Sequence, residues 1–135
     1  MSTILQITSA DPNLTSLTKG IKAAKLEEIL NEQGPFTILA PINLAFSKLS
    51  PAAFEELLKK ENNTRLSDML GNHILKGKKM MKDFRDGQKL TMLSGKEVSV
   101  TVSNDEVRIN GSKILSKDRQ GSNGVIHSVD AVNTH

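Results

Sequence analysis

The sequence predicts an α+β fold, with helices in the first part of the chain and an antiparallel sheet in the second. Up to about residue 85, apolar residues recur at the three- and four-residue spacing of amphipathic helices. From Gln88 onward they alternate with polar residues, as they do in half-buried strands. Helices and strands segregated in this way are typical of α+β domains. The 135 residues are enough for one core, so we expect a single domain over residues 1–135.

The first helical pattern covers residues 14–30, where Leu, Ile and Ala recur at helical spacing until Gly34 ends the pattern. The apolar run at residues 36–40 predicts a strand, which Pro41 terminates. Asn43 stands where its side chain can cap the short helix that follows.

Two further helices are expected before the sheet. Ser50-Pro51 combines a capping side chain with a proline at the first helical position, and that helix extends to about Asn62. Another opens at Thr64 and ends at Gly71-Asn72. Residues 73–75 predict a short strand, and residues 80–84 predict one more helical turn.

The second part of the chain predicts a meander of strands. Alternation at residues 98–102 and 107–109 indicates two strands, and Asn110-Gly111 is a strong hairpin signal. The polar residues 117–123 predict a loop before a last strand at residues 124–132. In that strand His127 shares a face with Val125 and Val129 and is expected to point inward.

Composition excludes several classes of function. The chain has no cysteine, which rules out disulfides, thiolate catalysis and zinc–thiolate sites. Its only aromatic residues are four phenylalanines and its net charge is only +3, so we expect no nucleic-acid partner. No apolar run reaches the roughly 18 residues of a transmembrane helix, so no transmembrane segment is expected.

Three polar residues stand out within apolar surroundings. We expect His127 to be a neutral core histidine with both ring nitrogens hydrogen-bonded, and Asn43, His73 and His127 to form a buried structural polar network. Neither histidine belongs to a metal-ligand motif, and residues 71–78 depart from the phosphate-loop pattern. No catalytic residue, cofactor or metal is therefore predicted.

The densest cluster of positive charge consists of Lys76, Lys78, Lys79, Lys82 and Arg85. Such a cluster can contact an anionic polysaccharide, a membrane surface or a nucleic-acid backbone. A solvated surface is the more usual role of a charged run, and no aromatic residues suited to base stacking accompany this one.

Two long motifs resemble those of the fasciclin-type (FAS1) domain family. Gly-Pro-Phe-Thr-Ile-Leu-Ala-Pro-Ile-Asn-Leu-Ala-Phe, at residues 34–46, is similar to the family pattern Gly-Pro-Phe-Thr-Val-Phe-Ala-Pro-Thr-Asn-x-Ala-Phe. Asn-Gly-Val-Ile-His-Ser-Val-Asp-Ala-Val, at residues 123–132, is close to Asn-Gly-Val-Ile-His-Val-Ile-Asp-x-Val. Residues 70–77 match a central step of the family, and the resemblance runs from about residue 3 to residue 132.

The resemblance implies a wedge of two β-sheets packed face to face, with several α-helices along one side. It also implies a non-catalytic module for adhesion or interaction, which is secreted, periplasmic or at the cell surface and binds an extracellular protein or polysaccharide. The start of the chain does not look like a signal peptide, so we expect that an export signal has been removed. We further expect a monomer.

Two departures bear on the partner surface, in which we include Asp118 with the basic cluster. Animal relatives have been linked to integrins through an Asp-Ile step and a Tyr-His region, but here Arg119 follows Asp118 and Asn72 precedes His73. Integrin binding is therefore not carried over. Two alternatives remain: a small-ligand-binding or enzymatic domain with a pocket near His73 or His127, and a purely structural module of a larger assembly.

Overall fold

The computed structural model describes residues 2–32, 34–48 and 51–132. Within these ranges, six α-helices lie in the first part of the chain: α1 Ile4–Ala10, α2 Thr15–Ala23, α3 Glu27–Leu30, α4 Asn43–Ser47, α5 Pro51–Leu57 and α6 Asn63–Gly71. Short 3-10 helices occupy Lys60–Asn62 and Met81–Asp83. The predicted cap Ser50 lies outside the described residues.

In the part of the chain that the structure describes, seven strands form one sheet, in the order β2-β1-β7-β6-β5-β4-β3. Their bounds are β1 Phe36–Pro41, β2 Ile74–Lys76, β3 Lys89–Thr91, β4 Glu97–Ser103, β5 Glu106–Ile109, β6 Ser112–Gly121 and β7 Gly124–Val129. Neighbouring strands are antiparallel except β1 and β7, which run parallel with Phe36 opposite Gly124 and Pro41 opposite Val129. The two family-like motifs thus lie side by side in the sheet.

The sheet folds over so that its two halves face each other. Side chains on one face of β1 and β7, such as Ile38 and Ile126, pack against α1, α2, α3 and α6 in a first core. Leu39 and Val129 point the opposite way and pack against Val100 and other apolar residues of β3, β4 and β5 in a second core. The α+β prediction is confirmed, and the two β-layers are halves of one continuous sheet.

The helical pattern of residues 14–30 forms two helices, α2 and α3, with a break between them. Lys25 adopts a φ of 59° after the end of α2. The N–H of Lys25 donates to the carbonyl of Lys22, and that of Leu26 donates to the carbonyl of Ile21. These are the two hydrogen bonds of a Schellman motif, which ends a helix. The usual sequence signal is glycine at the left-handed position, and here lysine occupies it.

The predicted loop at residues 117–123 is wrong, because β6 continues to Gly121. Its pairing with β7 has register shifts between Ile114 and Ser116 and between Ser116 and Arg119. These irregularities remove the two-residue alternation by which a strand is recognised in a sequence. The side chains of this half of β6 are also largely solvent-accessible, which explains their polar character.

Candidate functional site

His127 lies on the face of β7 that points between the two layers of the sheet, and it is completely buried. Its Nε2 lies 2.7 Å from the carbonyl oxygen of Lys79, and its Nδ1 lies 3.1 Å from the backbone nitrogen of Asp118. Because a carbonyl accepts and an N–H donates, these partners assign the proton to Nε2. Burial lowers the pKa of the imidazole, although the Lys79 carbonyl and the Asp118 carboxylate oppose that shift. His127 is therefore a neutral side chain with both nitrogens engaged.

Asp118 lies at a register shift of β6 and has a φ of 58°. Its backbone N–H donates to His127, while its Oδ1 accepts a hydrogen bond from the backbone N–H of Met81 at 2.8 Å. The side chain of Asp118 is 33% exposed. One carboxylate oxygen thus holds the segment around Met81, and part of the group remains accessible at the surface.

We call residues 76–85 the basic segment. Buried side chains anchor its backbone at Lys79. The N–H of Lys79 donates to Thr37 Oγ1 at 2.8 Å, and the carbonyl of Lys79 accepts a hydrogen bond from His127. The Thr37 hydroxyl in turn donates to the carbonyl of Gly77 at 2.7 Å. Phe84 is buried, and its ring meets that of His127 edge to face at a centroid distance of 5.5 Å. The basic segment is therefore fixed to the interior of the sheet at several points.

The charged side chains of the basic segment point away from these anchors. Lys76, Lys78, Lys82 and Arg85 are exposed, whereas Lys79 is half-buried. Lys78 Nζ donates to Gln120 Oε1 of β6 at 2.7 Å. Four of the five predicted cations are thus exposed, whereas Lys79 differs from them by supplying backbone anchors.

His73 is buried at the end of α6, where its Nδ1 lies 3.0 Å from the carbonyl oxygen of Met69. Burial lowers its pKa to about 4, against the opposing effect of the Met69 carbonyl. The cavity that His73 lines measures about 10 Å³ and is bounded also by Leu39, Asn72, Ile109, Ser112 and Val129. That volume is at the lower limit for one water molecule, whereas small-ligand pockets start at about 300 Å³. The cavity that His73 itself lines is therefore too small for a small-molecule ligand.

Asn43 is the first residue of α4 and does not cap that helix, which corrects the sequence-based expectation. Its Oδ1 accepts from the backbone N–H of Ser16 at 2.9 Å, and its Nδ2 donates to the Pro12 carbonyl and to Thr15 Oγ1. Asn43 thus caps α2, which has no side-chain cap of its own. Its partners differ from those of His127, so these two side chains belong to separate hydrogen-bond sets and not to one network.

Two buried polar anchors, Thr37 and Asn123, were not predicted. The side chain of Asn123 donates to the carbonyls of Leu30 and Glu32 and accepts from the N–H of Ile4, which ties α1 and α3 to the start of β7. The available signal was the position of each residue in an otherwise apolar motif. For Asn123 this signal was ambiguous, because asparagine before glycine is also common in turns, where it forms local hydrogen bonds.

No group of three or more His, Cys, Asp or Glu side chains capable of holding a metal ion occurs among residues 2–32, 34–48 and 51–132. Within the same ranges, no helix has the length and apolar character needed to cross a membrane.

The family model for the Fasciclin domain matches residues 12–133. The chain belongs to the fasciclin domain family. A solved FAS1 domain pair from the insect cell adhesion molecule Fasciclin I superposes with a TM-score of 0.86 at 21% sequence identity, covering 97% of this chain and 50% of that one. This agreement confirms the fold expected from the two motifs.

Relatives with higher sequence identity occur in bacteria and animals. The chain is 35% identical over 130 residues to Protein sll1483 of Synechocystis sp., covering 96% of this chain and 72% of the relative. It is 35% identical over 128 residues to transforming growth factor-beta-induced protein ig-h3 of Sus scrofa, covering 94% of this chain and 18% of the relative. Human periostin is 34% identical over 113 residues, covering 84% of this chain and 13% of its own length. The chain thus spans less than a fifth of these animal proteins.

Proposed function

We propose that this fasciclin domain is a non-catalytic interaction module that acts in adhesion outside the cell and binds a protein or polysaccharide partner. Residues 1–135 form one such domain, a monomer in a secreted, periplasmic or cell-surface protein. The observation that carries the proposal is the basic segment, whose backbone is fixed by buried residues while its charges face solvent. The cell adhesion molecule Fasciclin I, which shares the fold, supports the adhesive role.

The electrostatics of the basic segment favour an anionic partner. Within the described part of the chain, Lys76, Lys78, Lys82 and Arg85 make no salt bridge within 4.0 Å. Their charges are therefore available to attract a partner and to accelerate its association. The anchored backbone reduces the ordering entropy that a flexible loop loses on binding.

The histidines support a structural role more than a catalytic one. Both ring nitrogens of His127 are hydrogen-bonded to backbone groups, which leaves neither to serve as a general base. The cavity beside His73 holds at most one water molecule. These observations count against the alternative of a small-ligand or enzymatic pocket at either residue.

A charge-matched pair of variants tests the proposal. The first replaces three exposed cations of the basic segment by glutamine: Lys78, Lys82 and Arg85. The control removes the same charge from the helical side of the domain, at the exposed residues Lys19, Lys22 and Lys60. Both are compared with the unmodified chain for binding to immobilised extracellular polysaccharides and envelope proteins, at low and physiological salt.

We expect the first variant to lose most of the binding and the control to retain it. We also expect binding by the unmodified chain to weaken as salt rises, because the contacts are between exposed charges. Equal binding by all three proteins would remove the basic segment from the interaction surface. Turnover of a substrate by the unmodified chain would contradict the non-catalytic assignment.

A further inference from the structure

The folded sheet comes close to closing into a barrel between its two end strands, β2 and β3, but the contact between them is limited to one hydrogen bond. The backbone N–H of Leu93, just beyond β3, donates to the carbonyl of Ile74 in β2 at 2.7 Å. Past this contact lies a groove of about 250 Å³, lined by Lys76, Thr91, Met92 and Leu93. Continuing the register of the Ile74–Leu93 contact would place Lys76 opposite Thr91. The groove therefore lies where the next pair of a closed barrel would form.

The strand registers show which backbone groups face this groove. In an antiparallel pair, hydrogen-bonded residues alternate with residues whose N–H and C=O point away from the partner strand. The N–H of Met92 donates to Lys96, and the N–H of Val100 donates to Gln88, so the even-numbered residues of β3 bond to β4. The N–H and C=O groups of Lys89 and Thr91 consequently point outward along the free edge of β3.

The same alternation applies to β2. The carbonyl of His73 accepts from Leu39, and the N–H of Gly77 donates to Pro35, so the odd-numbered residues bond to β1. The backbone groups of Lys76 therefore face the groove. Two strand edges with unused donors and acceptors flank one groove, and a strand can be added at such an edge through main-chain hydrogen bonds.

We propose that the free edge of β3 binds an extended acidic segment of a partner protein as an added strand. This rests on the proposed function, since it names the partner class of the interaction module. Lys89 belongs to β3, where its Nζ donates to Ser99 Oγ of β4 at 3.1 Å, while Lys76 lies in β2 across the groove; both side chains are exposed. Alternating acidic side chains of an added strand would lie on the same face as these two ammonium groups, and the apolar side chains between them would lie on the opposite face, beside Leu90 and Met92.

The charge of Lys89 also disfavours a second copy of this chain as the occupant of the edge. A second copy of β3 at this edge would bring Lys89 near a like charge, and lysine on edge strands is a common means of preventing self-association. The same charges attract a carboxylate-bearing strand. Charge thus favours a partner strand of opposite sign over pairing between two copies of this chain.

The test uses hydrogen exchange measured by NMR on the 135-residue chain, with an eight-residue peptide of alternating valine and aspartate as the probe. In the free protein we expect the amides of Lys89 and Thr91 to exchange quickly, and that of Leu90, bonded to β4, to be protected. Saturating acidic peptide should slow exchange at Lys89 and Thr91. A valine–lysine peptide of the same length should leave both unchanged.

Two variants locate the binding. Replacement of Lys76 and Lys89 by glutamate should weaken acidic-peptide binding about tenfold, since two attractive contacts become repulsive. The matched control replaces Lys19 and Lys60 by glutamate and should bind as the unmodified chain does. Thr91→Pro, which removes one outward donor, should weaken binding about fivefold, and its far-ultraviolet circular dichroism shows whether it folds.

The inference is wrong if Lys89 and Thr91 exchange at the same rate with and without saturating acidic peptide, or if the two charge-reversed variants bind equally. Concentration-dependent protection of both amides without peptide would also overturn it, because the occupant would then be a second copy. The proposed function is judged separately, by the polysaccharide and envelope-protein screen. It stands if that screen shows binding by the basic segment while the peptide test fails.

Discussion

The burial of His73 predicts that the domain loses stability as the pH falls from 6.5 to about 4. The ordinary histidine pKa of 6.5 applies to the unfolded chain, and burial lowers the value in the folded domain to about 4. Above 6.5 the imidazole is neutral in both states and has no effect on the pH dependence. Between the two values the unfolded chain binds one more proton than the folded domain, so acid favours unfolding.

The size of the effect follows from the difference between the two pKa values. Each pKa unit corresponds to about 1.4 kcal/mol. The interval from 6.5 to about 4 therefore gives a loss of roughly 3 kcal/mol from His73 alone. A domain of this size has a total stability on the order of 5–15 kcal/mol, so the change is a substantial fraction of it. His127, whose pKa is also lowered by burial, acts in the same direction.

Comparison of the unmodified chain with His73→Gln isolates the contribution of His73. Glutamine keeps a donor for the Met69 carbonyl but does not titrate. Urea unfolding would be followed by far-ultraviolet circular dichroism between pH 7.5 and 4, because the chain has no Trp or Tyr for fluorescence. The variant should start less stable at pH 7.5 and then lose roughly 3 kcal/mol less than the unmodified chain on acidification. Parallel pH profiles for the two proteins would refute the assignment of His73 as a buried neutral group.

Three substitutions test the polar and steric contacts of the two motifs by urea unfolding. His127→Ala should lower the free energy of unfolding by on the order of 1–3 kcal/mol, since it leaves the Lys79 carbonyl without its donor. It should also speed amide exchange in the basic segment. A thermal melt unchanged from that of the unmodified chain would contradict this prediction. Asn43→Ala should cost about 1–2 kcal/mol through loss of the α2 cap, and a neutral result would mean that water replaces the amide. Gly124→Ala should cost at least about 3 kcal/mol, because an added Cβ would lie 2.1 Å from the Phe36 carbonyl oxygen. Normal stability of that variant would show that β1 can move away from β7.

The sequence predicted those parts of the fold that local chemistry determines. The hairpin at Asn110-Gly111 formed as expected, since both residues adopt positive φ there. Helix α1 was not predicted, although Thr3 and Gln6 form a capping box at its start. The register shifts of β6 and the parallel pairing of β1 with β7 depend on contacts between distant residues, and alternation within one strand carries no information about its neighbours.

The same distinction between local signals and distant contacts explains why the candidate site was predicted only in part. The sequence indicated that His127 is buried, but Lys79 lies 48 residues from it and Asp118 nine residues from it, at a bulge that polarity alone did not reveal. Once paired, these residues connect β7 to the exposed charges of the basic segment: His127 and Asp118 fix the backbone at Lys79 and Met81. Substitution of His127 should therefore alter partner binding through the geometry of the basic segment without removing any charge. The salt dependence of binding separates this structural effect from the loss of a charged contact residue. Added salt weakens contacts between charges, but it does not restore the backbone that is displaced in a His127 variant.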